Sequence, residues 1–377
     1  MNLSRLSHKV VQGWPYLVKE LRAEVSNRTG HFIARPRIVH LWRKGPCDGG
    51  CIMCQMGYVK GKEREELFRT RIKDELMPVL LQQIQELGGR GTMVSYMCGE
   101  PLLNGSLLDW VEQARRLRLD FRFTTNGYHV DQAMAQRLVA AGLFNLGVSI
   151  ESLDPAINEQ IRPYKHSTEK TVRAIELLLE EKRRQHSPIS FNIKCTLTNV
   201  NLESVLDLAR RYALTEGVLL TPQVFEVMHE TPTETVDKLW IRDVSRVETV
   251  VRELKALKAQ GYHINADDQA LDSFVRVCQQ DPSHRSSMYG QKVQDENQPD
   301  CFIGTDNLFI MDGHVRLCPH LPLIGDVVAD RASLKEMWRS ETACQVREQI
   351  RKCRTVCTMS CTRRMSLAHK VRMFLKM

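Results

Sequence analysis

Short apolar runs alternate with segments of helical periodicity along much of the chain. The runs are rich in β-branched and aromatic residues, which predicts strands, and most are apolar enough to be covered on both faces. They occupy residues 37–43, 92–97, 121–125, 143–150, 189–197 and 218–226. The alternation predicts an α/β fold with six parallel strands, in a sheet that is either open or curled into a partial barrel.

Helices are predicted between these strands, because apolar residues recur there every three or four positions. One runs from about Glu65 to Leu87, a second begins at Ser106, and a third places Val172, Ile175 and Leu178 on one face. Asp109, three residues after Ser106, gives the second helix the pattern of a capping box. Residues 227–295 show the same periodicity and are predicted to form a helical bridge to the C-terminal part.

The C-terminal part begins with a predicted β-hairpin. Residues 301–320 alternate apolar and polar positions around Asp312 and Gly313, a pair typical of a tight turn. Residues 363–377 are predicted to form a basic amphipathic helix, with an apolar stripe made of Leu367, Val371, Phe374 and Leu375. We expect this helix to dock onto the barrel, with weak contact to a membrane surface as the alternative.

Polar motifs follow five of the six predicted strands at the point where each strand ends. They are the cysteine loop GPCDGGCIMCQMG at residues 45–57, and then CGEP, TTNG, SIE and LTN after the second to fifth strands. The carboxyl ends of parallel strands meet at one edge of such folds, where the chemistry is found. The sequence therefore predicts one functional site at this rim.

Composition narrows the class of protein. The chain has 377 residues, of which 42% are hydrophobic, enough for a large domain and a smaller second one. The N-terminus lacks the apolar core of a signal peptide and no window spans a bilayer, which predicts a soluble, cytoplasmic protein. In that reducing compartment, the twelve cysteines are more suited to metal binding than to disulfides. The net charge of +8 favours an anionic substrate and is too diffuse to predict nucleic-acid binding.

Cys47, Cys51 and Cys54 have the spacing C-x3-C-x2-C within the first polar loop. A structural zinc site takes four ligands, usually as two separated pairs, so this spacing does not suit zinc. Three thiolates can instead bind three irons of a cubane [4Fe-4S] cluster and leave the fourth iron without a protein ligand. The loop is a candidate cluster site with one open iron, and a purely structural role is the weaker alternative.

This triad at the end of a first strand resembles the signature of the radical S-adenosylmethionine (radical SAM) superfamily, whose fold is a partial (βα)6 barrel. The resemblance implies a [4Fe-4S] cluster whose open iron binds S-adenosyl-L-methionine (SAM). It implies reductive cleavage of SAM to a 5′-deoxyadenosyl radical, which removes a hydrogen atom from a substrate. An electron donor such as flavodoxin or ferredoxin is implied as a partner.

The later rim motifs are similar to the SAM-binding motifs of this family. CGEP resembles its Gly-Gly-Glu-Pro segment, TTNG fits its third-strand motif, and the residues after the fourth and fifth strands fit contacts to the ribose, carboxylate and adenine. The SAM-binding residues that the resemblance implies are Met53, Gly99, Glu100, Asn126, Ser149, Glu151, Arg162 and Leu197. The sequence does not identify a catalytic acid or base.

Two residues depart from the family pattern. Met53 stands where an aromatic residue is usual, but that position contacts adenine largely through its backbone. Cys98 replaces the first glycine of Gly-Gly-Glu, so its backbone is predicted to avoid positive φ, where a Cβ is costly. Three other cysteines, Cys195, Cys278 and Cys344, are predicted to be packed core thiols.

The C-terminal cysteines resemble a SPASM domain, which carries auxiliary clusters in many radical SAM enzymes. Cys301 and Cys318 fit its opening, and the segments LIGD and LKEMW fit its continuation. Only Cys353, Cys357 and Cys361 follow, which fits the reduced form called a twitch domain, with one auxiliary [4Fe-4S] cluster. By analogy we favour Cys301, Cys318, Cys357 and Cys361 as its ligands and Cys353 as a remnant. A zinc ribbon is the alternative.

The sequence thus predicts five segments. They are an N-terminal helical extension at 1–36, the partial barrel at 37–226, a bridge at 227–295, the auxiliary-cluster domain at 296–362 and the C-terminal helix at 363–377. The favoured function is hydrogen abstraction from a small sugar-like or alcohol-like substrate, with the auxiliary cluster assisting electron transfer. A peptide-modifying maturase is the first alternative. A non-catalytic iron-sulfur electron carrier is the second, and it leaves the SAM motifs unexplained.

Overall fold

The computed structural model describes residues 18–26, 29, 32–227, 231–282, 301 and 303–354. The six predicted strands are confirmed, and each pairs in parallel with the next. Strands β1 to β6 are Ile38–Trp42, Met93–Met97, Asp120–Thr125, Asn145–Ser149, Ser190–Leu197 and Val218–Val224. All of them run in one direction, so their carboxyl ends form a single rim.

Three further strands extend the same sheet beyond β1. β7 (Asn307–Met311) runs parallel to β1, and β8 (His314–Arg316) and β9 (Gly325–Asp326) follow it in antiparallel pairing. The sheet order is β6-β5-β4-β3-β2-β1-β7-β8-β9. The predicted hairpin turn is confirmed: Asp312 and Gly313 both have positive φ, 49° and 107°. The segment predicted as an auxiliary domain therefore shares its sheet with the barrel, and the five predicted boundaries stay predictions.

The helices alternate with the strands along the chain. They are α1 (18–26), α2 (Gln55–Tyr58), α3 (Gly61–Phe68), α4 (Leu76–Gly88), α5 (Leu107–Arg116), α6 (Gln132–Ala140), α7 (Pro155–Ile161), α8 (Ser167–Arg184), α9 (Ser204–Tyr212), α10 (Thr233–Leu239), α11 (Val244–Ala259), α12 (Asp268–Cys278), α13 (Ile303–Asp306), α14 (Leu334–Arg339) and α15 (Glu341–Arg351). A short 3-10 helix covers Pro101–Leu103. No helix within the described ranges has both the length and the apolar character needed to cross a bilayer.

The single long helix predicted before the second strand is wrong. The structure has two helices there, α3 and α4, and residues 69–75 between them bind neighbouring elements instead of continuing the helix. The Thr70 hydroxyl donates to Asp312 Oδ1 at 2.6 Å, and Arg43 Nε donates to the Ile72 carbonyl at 2.8 Å. These contacts join residues 69–75 to the hairpin turn and to the end of β1, which are distant in the sequence. The local periodicity of apolar residues therefore could not predict the break in the helix.

The capping box predicted at Ser106 is also wrong. Ser106 is the N-cap of α5, but its backbone is helical, with φ −86° and ψ −2°, whereas a capping side chain needs an extended backbone. Its hydroxyl donates to Asp74 Oδ2 at 2.9 Å. Ser106 therefore ties α5 to the segment before α4 rather than to its own first turn.

The predicted bridge packs against the barrel. α11 contacts α9 and α12, and Leu220 of β6 forms an isolated parallel bridge with Ile264. Cys195 and Cys278 are buried, at 1% and 4% exposure, as predicted for core thiols. The same prediction is wrong for Cys344, which is exposed because α15 turns other residues inward.

Candidate functional site

The cysteine loop leaves β1 at the rim and places two of its sulfurs around one glycine. A Cβ built on Gly49 would lie 3.4 Å from Cys51 Sγ and 3.6 Å from Cys47 Sγ, so both sulfurs lie beside the same point. Cys47 and Cys51 are half-buried and Cys54 is exposed. The short helix α2 begins directly after Cys54, and the Gly57 amide donates to the Cys54 carbonyl at 2.8 Å. A side chain at position 49 would occupy the space between the thiols.

The environment of the thiols disfavours free thiolates. Burial raises the pKa of Cys47 to about 12, against a partial lowering by the Gly49 amide. Burial also raises the pKa of Cys51, and Arg162 opposes the shift. Thiols that stay protonated when alone become thiolate ligands when a cationic metal centre compensates the charge.

The loop after β2 fits closely against the cysteine loop. A Cβ at Gly99 would lie 2.2 Å from the Pro46 carbonyl oxygen and 2.5 Å from the Gly45 carbonyl oxygen, so only glycine fits. The Glu100 amide donates to the Pro46 carbonyl at 2.8 Å. The predicted site residues Gly99 and Glu100 therefore hold the backbone that precedes Cys47.

The Glu100 carboxylate joins the loop after β2 to the end of β3. It accepts hydrogen bonds from the Thr125 hydroxyl at 2.7 Å, the Asn126 amide at 2.7 Å and the Leu102 amide at 3.1 Å. The side chain is 2% exposed, and burial raises its pKa. A carboxylate has about four acceptor positions, so three are already used within the chain. Glu100 is thus chiefly a structural member of the rim, with room for one further donor.

Asp48 and His129 are rim residues that the sequence analysis missed. Asp48, next to Cys47, accepts from Asn126 Nδ2 at 2.9 Å through Oδ1, and its Oδ2 lies 2.7 Å from His129 Nε2. The predicted residue Asn126 therefore reaches the cysteine loop through its side chain. The motif DGG inside the triad and the histidine after TTNG are the sequence signals for this contact, but 81 residues separate them.

Arg162 and Glu151 form a buried ion pair against the triad. Arg162 donates to Glu151 Oε1 from Nε at 3.0 Å and from Nη2 at 2.6 Å, and its Nη1 lies 3.4 Å from Cys51 Sγ. The other carboxylate oxygen of Glu151 accepts from the Thr196 amide on β5 at 2.6 Å. Burial opposes the guanidinium charge, but Cys51 and Glu151 outweigh it and raise the pKa of Arg162. A fixed positive charge therefore lies beside one of the three sulfurs.

The remaining predicted SAM-binding residues differ in exposure. Ser149, the last residue of β4, is half-buried, and its hydroxyl forms no hydrogen bond within the part of the chain that the structure describes. Met53 is partly buried against the core. Leu197 is the last residue of β5, and its side chain is buried in the core at 1% exposure. A ligand at the rim would therefore contact its backbone, or its side chain only after that side chain had moved.

The backbone φ of Cys98 is not positive, which confirms the prediction that this position avoids the left-handed region. Its sulfur faces the cysteine loop, because a Cβ on Gly45 would lie 4.0 Å from Cys98 Sγ. Burial raises the pKa of the Cys98 thiol to about 12. Cys98 therefore packs against Gly45 of the cysteine loop as a neutral thiol and is not one of the three cysteines of the triad.

Two of the C-terminal cysteines lie at the opposite end of the sheet from the triad. β7 runs toward the rim and β8 runs back, so Cys301 before α13 and Cys318 after β8 both lie at the end of the sheet where β7 begins and β8 ends. α15 packs on α13, where a Cβ on Gly304 would lie 2.7 Å from Ile350 Cδ1, and Cys353 follows shortly after α15. Cys357 and Cys361 lie outside the described residues.

Neither set of described cysteines forms a shell for a single metal ion. Within the described ranges, no three His, Cys, Asp or Glu side chains come close enough to hold one ion. A cubane cluster distributes its thiolates over different irons, so it does not require such a shell. The described residues therefore give no sign of a preformed zinc site.

The part of the chain that matches a known family lies within the barrel. The model of the radical SAM superfamily matches residues 46–212, a span that contains the cysteine loop and the rim motifs after β2 to β5. Among curated proteins, a probable GTP 3',8-cyclase of Methanopyrus kandleri is 26% identical over 186 residues, which are 49% of this chain and 55% of the relative. A PqqA peptide cyclase of Xanthomonas oryzae pv. oryzae is 30% identical over 124 residues, 33% of this chain and 32% of the relative. The chain thus spans about half or less of the curated relatives it matches.

Solved structures share the fold over a longer stretch. SuiB of Streptococcus suis superimposes with a TM-score of 0.59 at 12% identity, over 83% of this chain and 68% of SuiB. Native anSMEcpe with bound AdoMet superimposes with a TM-score of 0.53 at 14% identity, over 88% of this chain and 85% of that one. Residues 46–212, which carry the triad at the end of β1, are thus similar to the radical SAM superfamily, and the solved structures share the fold of this chain.

Proposed function

We propose that this protein is an enzyme that cleaves SAM reductively and removes a hydrogen atom from a substrate bound at the barrel. Similarity to the radical SAM superfamily implies a [4Fe-4S] cluster and SAM as cofactors. When bound, they supply an electron and a 5′-deoxyadenosyl radical. The observation that carries the proposal is the pair of sulfurs around Gly49, in a loop fixed at the rim by Gly99 and Glu100.

The residues of the cysteine loop fit a cluster with an open iron. Cys47, Cys51 and Cys54 offer three soft ligands from one loop, and Gly49 leaves the space between two of them clear. Arg162 places a buried positive charge beside Cys51, which favours an anionic group there. We assign these three cysteines as the ligands and Arg162 as a residue that stabilises their negative charge.

The rim residues are assigned to SAM in two groups. Ser149 has a hydroxyl without a partner in the described chain and is assigned to direct contact, together with the backbone of Gly99 and Met53. The second group already forms hydrogen bonds between the rim loops and is assigned to shaping the site; it consists of Glu100, Asn126, Glu151 and Arg162. The hydrogen-bonding positions that these residues have left are assigned to SAM. Leu197 is assigned to the apolar wall behind the adenine.

An auxiliary cluster is proposed at the end of the sheet where β7 begins and β8 ends. Cys301 and Cys318 lie there, and Cys357 and Cys361 complete the set by analogy with the twitch domain. At that end of the sheet the cluster would be separated from the triad by the length of the strands, with the concave face between them. This order suits electron transfer from a substrate radical to the auxiliary cluster.

Two substrate classes remain under this proposal. A small-molecule substrate is supported by the GTP 3',8-cyclases among the relatives. A peptide substrate is equally supported, because PqqA peptide cyclases are also among the relatives. An electron donor such as flavodoxin or ferredoxin and a cytoplasmic location stay predictions.

The proposed activity is tested with anaerobically reconstituted protein, dithionite and SAM. We expect 5′-deoxyadenosine and methionine in equal amounts by mass spectrometry, because one reductive cleavage yields both. Protein that holds iron and binds SAM but forms no 5′-deoxyadenosine would overturn the proposal. Formation of 5′-deoxyadenosine by the wild type also separates it from a non-catalytic electron carrier.

Replacing Ser149 with alanine should weaken SAM binding and leave the iron content unchanged. One hydrogen bond to a charged or polar ligand is worth roughly 0.5–3 kcal/mol, so Kd should rise between about twofold and a hundredfold. Equilibrium dialysis with labelled SAM and an iron assay measure the two quantities. Glu100→Ala is the contrast: it removes three internal hydrogen bonds of the rim, so we expect iron to be lost as well. If Ser149→Ala also loses iron, Ser149 has a structural role.

A further inference from the structure

Three apolar residues end neighbouring strands at the rim. In the parallel register of the sheet, Trp42 of β1 lies opposite Met97 of β2 on one side and opposite Met311 of β7 on the other. Paired residues of neighbouring strands share one face of a sheet, and the strands are about 4.8 Å apart. Trp42, Met97 and Met311 therefore form one continuous surface, which we call the Trp42 platform.

The Trp42 platform lies on the concave face of the sheet. The residues just before it on β1 and β2, Leu41 and Tyr96, are at most 1% exposed and belong to the core. The ring of Tyr96 meets the ring of Trp110 on α5 edge to face, with 5.9 Å between centroids, so this core lies between the sheet and its helices. Successive side chains of a strand point to opposite faces, and Trp42 and Met97 therefore point away from the helices.

The described chain leaves this apolar surface partly uncovered. Among the residues of the nine described strands, only Met97 is exposed, at 39%, while Trp42 and Met311 are half-buried. The Trp42 indole forms neither a hydrogen bond nor a ring or cation–π contact within the described ranges. Two residues earlier on β1, by contrast, the ring of His40 is stacked on Phe309 with 4.5 Å between centroids. Apolar area left in water is unfavourable, and an exposed apolar patch at a rim is typical of a binding surface.

The Trp42 platform is continuous with the loops of the candidate site. The cysteine loop at residues 45–57 begins shortly after Trp42, and Met97 directly precedes the loop that contains Gly99. The residues assigned to the hydroxyl contact and to the adenine wall, Ser149 and Leu197, end β4 and β5, and β3 separates these strands from β2. A group bound on the platform would therefore lie beside the cysteine loop, on a different part of the rim from the place assigned to adenine.

We propose that the Trp42 platform binds an aromatic ring of the substrate, which packs on the indole and the two thioethers and accepts a hydrogen bond from the indole N–H. Aromatic rings pair favourably with indole in offset or edge-to-face geometry, and thioether sulfurs make favourable contacts with ring edges. The ligand class is a planar aromatic group with a carbonyl, ring-nitrogen or hydroxyl acceptor, which a nucleobase or a tyrosine side chain supplies. This inference rests on the proposed function, because it names the substrate class of the same site.

The test measures binding to the anaerobically reconstituted enzyme by isothermal titration calorimetry, with SAM present and no reductant. The aromatic probes are guanosine 5′-monophosphate, for a nucleobase, and N-acetyl-L-tyrosinamide, for a peptide side chain. Ribose 5-phosphate and N-acetyl-L-leucinamide are their matched probes, since they lack the aromatic ring. We expect saturable binding of at least one aromatic probe, with an affinity at least about tenfold higher than that of its matched probe.

Three variants and a control locate the bound ring. Trp42→Ala should weaken binding of the aromatic probe by about tenfold or more, because it removes the largest apolar surface of the platform. Trp42→Phe keeps a ring without the N–H and should give an intermediate affinity. Met97→Gln replaces an exposed thioether with a polar group of similar length and should weaken binding in the same direction. Phe144→Ala is the control, because Phe144 is an aromatic residue with 43% exposure directly before β4, at the opposite end of the sheet.

The outcomes separate this inference from the proposed function. Equal affinity for aromatic and matched probes, or equal loss in Trp42→Ala and Phe144→Ala, would overturn the inference and leave the proposed function standing as long as the wild type forms 5′-deoxyadenosine. Weaker SAM binding by iron-loaded Trp42→Ala would assign the platform to SAM and would also overturn it. If Trp42→Ala loses its iron, Met97→Gln decides: unchanged affinity for the aromatic probe then contradicts the inference. A larger ring effect with guanosine 5′-monophosphate than with N-acetyl-L-tyrosinamide identifies a nucleobase, and the reverse a peptide side chain.

Discussion

Replacing Cys47, Cys51 and Cys54 with alanine is expected to reduce 5′-deoxyadenosine formation to the level of a protein-free reaction. The three thiols are the soft ligands of the loop at the end of β1, and Gly49 keeps the space beside two of them open. Without thiolates, this loop has no ligand for iron, so about four irons per chain should also be lost. Mass spectrometry of the nucleoside and an iron assay measure the two effects.

The control for this variant is Cys344→Ala, since Cys344 is an exposed cysteine of α15 outside every assigned site. It should keep both the wild-type iron content and the wild-type rate. If the triple variant still forms 5′-deoxyadenosine, the assignment of the triad is wrong. If it loses activity but keeps all of its iron, the triad contributes to the site without binding the metal.

The second large effect is expected at the other end of the sheet. The wild type should contain about eight irons per chain in two cubanes, and replacing Cys301 and Cys318 with alanine should leave about four. Formation of 5′-deoxyadenosine should persist in part, because the triad lies at the rim, whereas both of these cysteines lie at the opposite end of the sheet, where β7 begins and β8 ends. Formation of the final product should be lost.

The wild-type metal content discriminates between the alternatives for this module. About twelve irons per chain would indicate a full SPASM domain with two auxiliary clusters. About four irons and one zinc would indicate a structural zinc ribbon and would contradict the auxiliary cluster. Cys353→Ala is the matched single variant, and it should keep all eight irons if Cys353 is a remnant.

The sequence predicted those parts of the fold that depend on local pattern. The six strands were predictable because each is a short apolar run covered on both faces, and the triad because its three cysteines lie in one loop. The hairpin at Asp312 and Gly313 was predictable from its turn residues. Pairing of β7 with β1 was not, since it joins residues far apart in the chain and no local pattern specifies the partner.

Contacts between distant segments account for the errors and omissions. The break between α3 and α4 arises because Thr70 binds Asp312, a residue of the hairpin. The links from Asp48 to His129 and from Arg162 to Cys51 join loops that meet only when the strands align at the rim. Cys344 was assigned to the core because its helix is amphipathic, but the residue lies on the outer side.

The same geometry changes the interpretation of the predicted SAM-binding residues. Their sequence motifs do not distinguish a ligand contact from a structural one. Glu100 and Glu151 are shown by their hydrogen bonds to hold neighbouring loops together, whereas the Ser149 hydroxyl has no partner in the described chain. Variants at these positions should therefore differ in iron content as well as in SAM affinity.

The most direct test of the central claim is whether SAM binds to the cluster of the triad. The Cys301→Ala, Cys318→Ala variant should retain this cluster alone, so its reduced form can be examined by electron paramagnetic resonance with and without SAM. An open iron that accepts SAM changes the ligand field of the cluster, and we expect the g values to shift when SAM is added. A spectrum that is unchanged by SAM, in protein shown by dialysis to have bound it, would contradict the claim that the triad leaves an iron open for SAM.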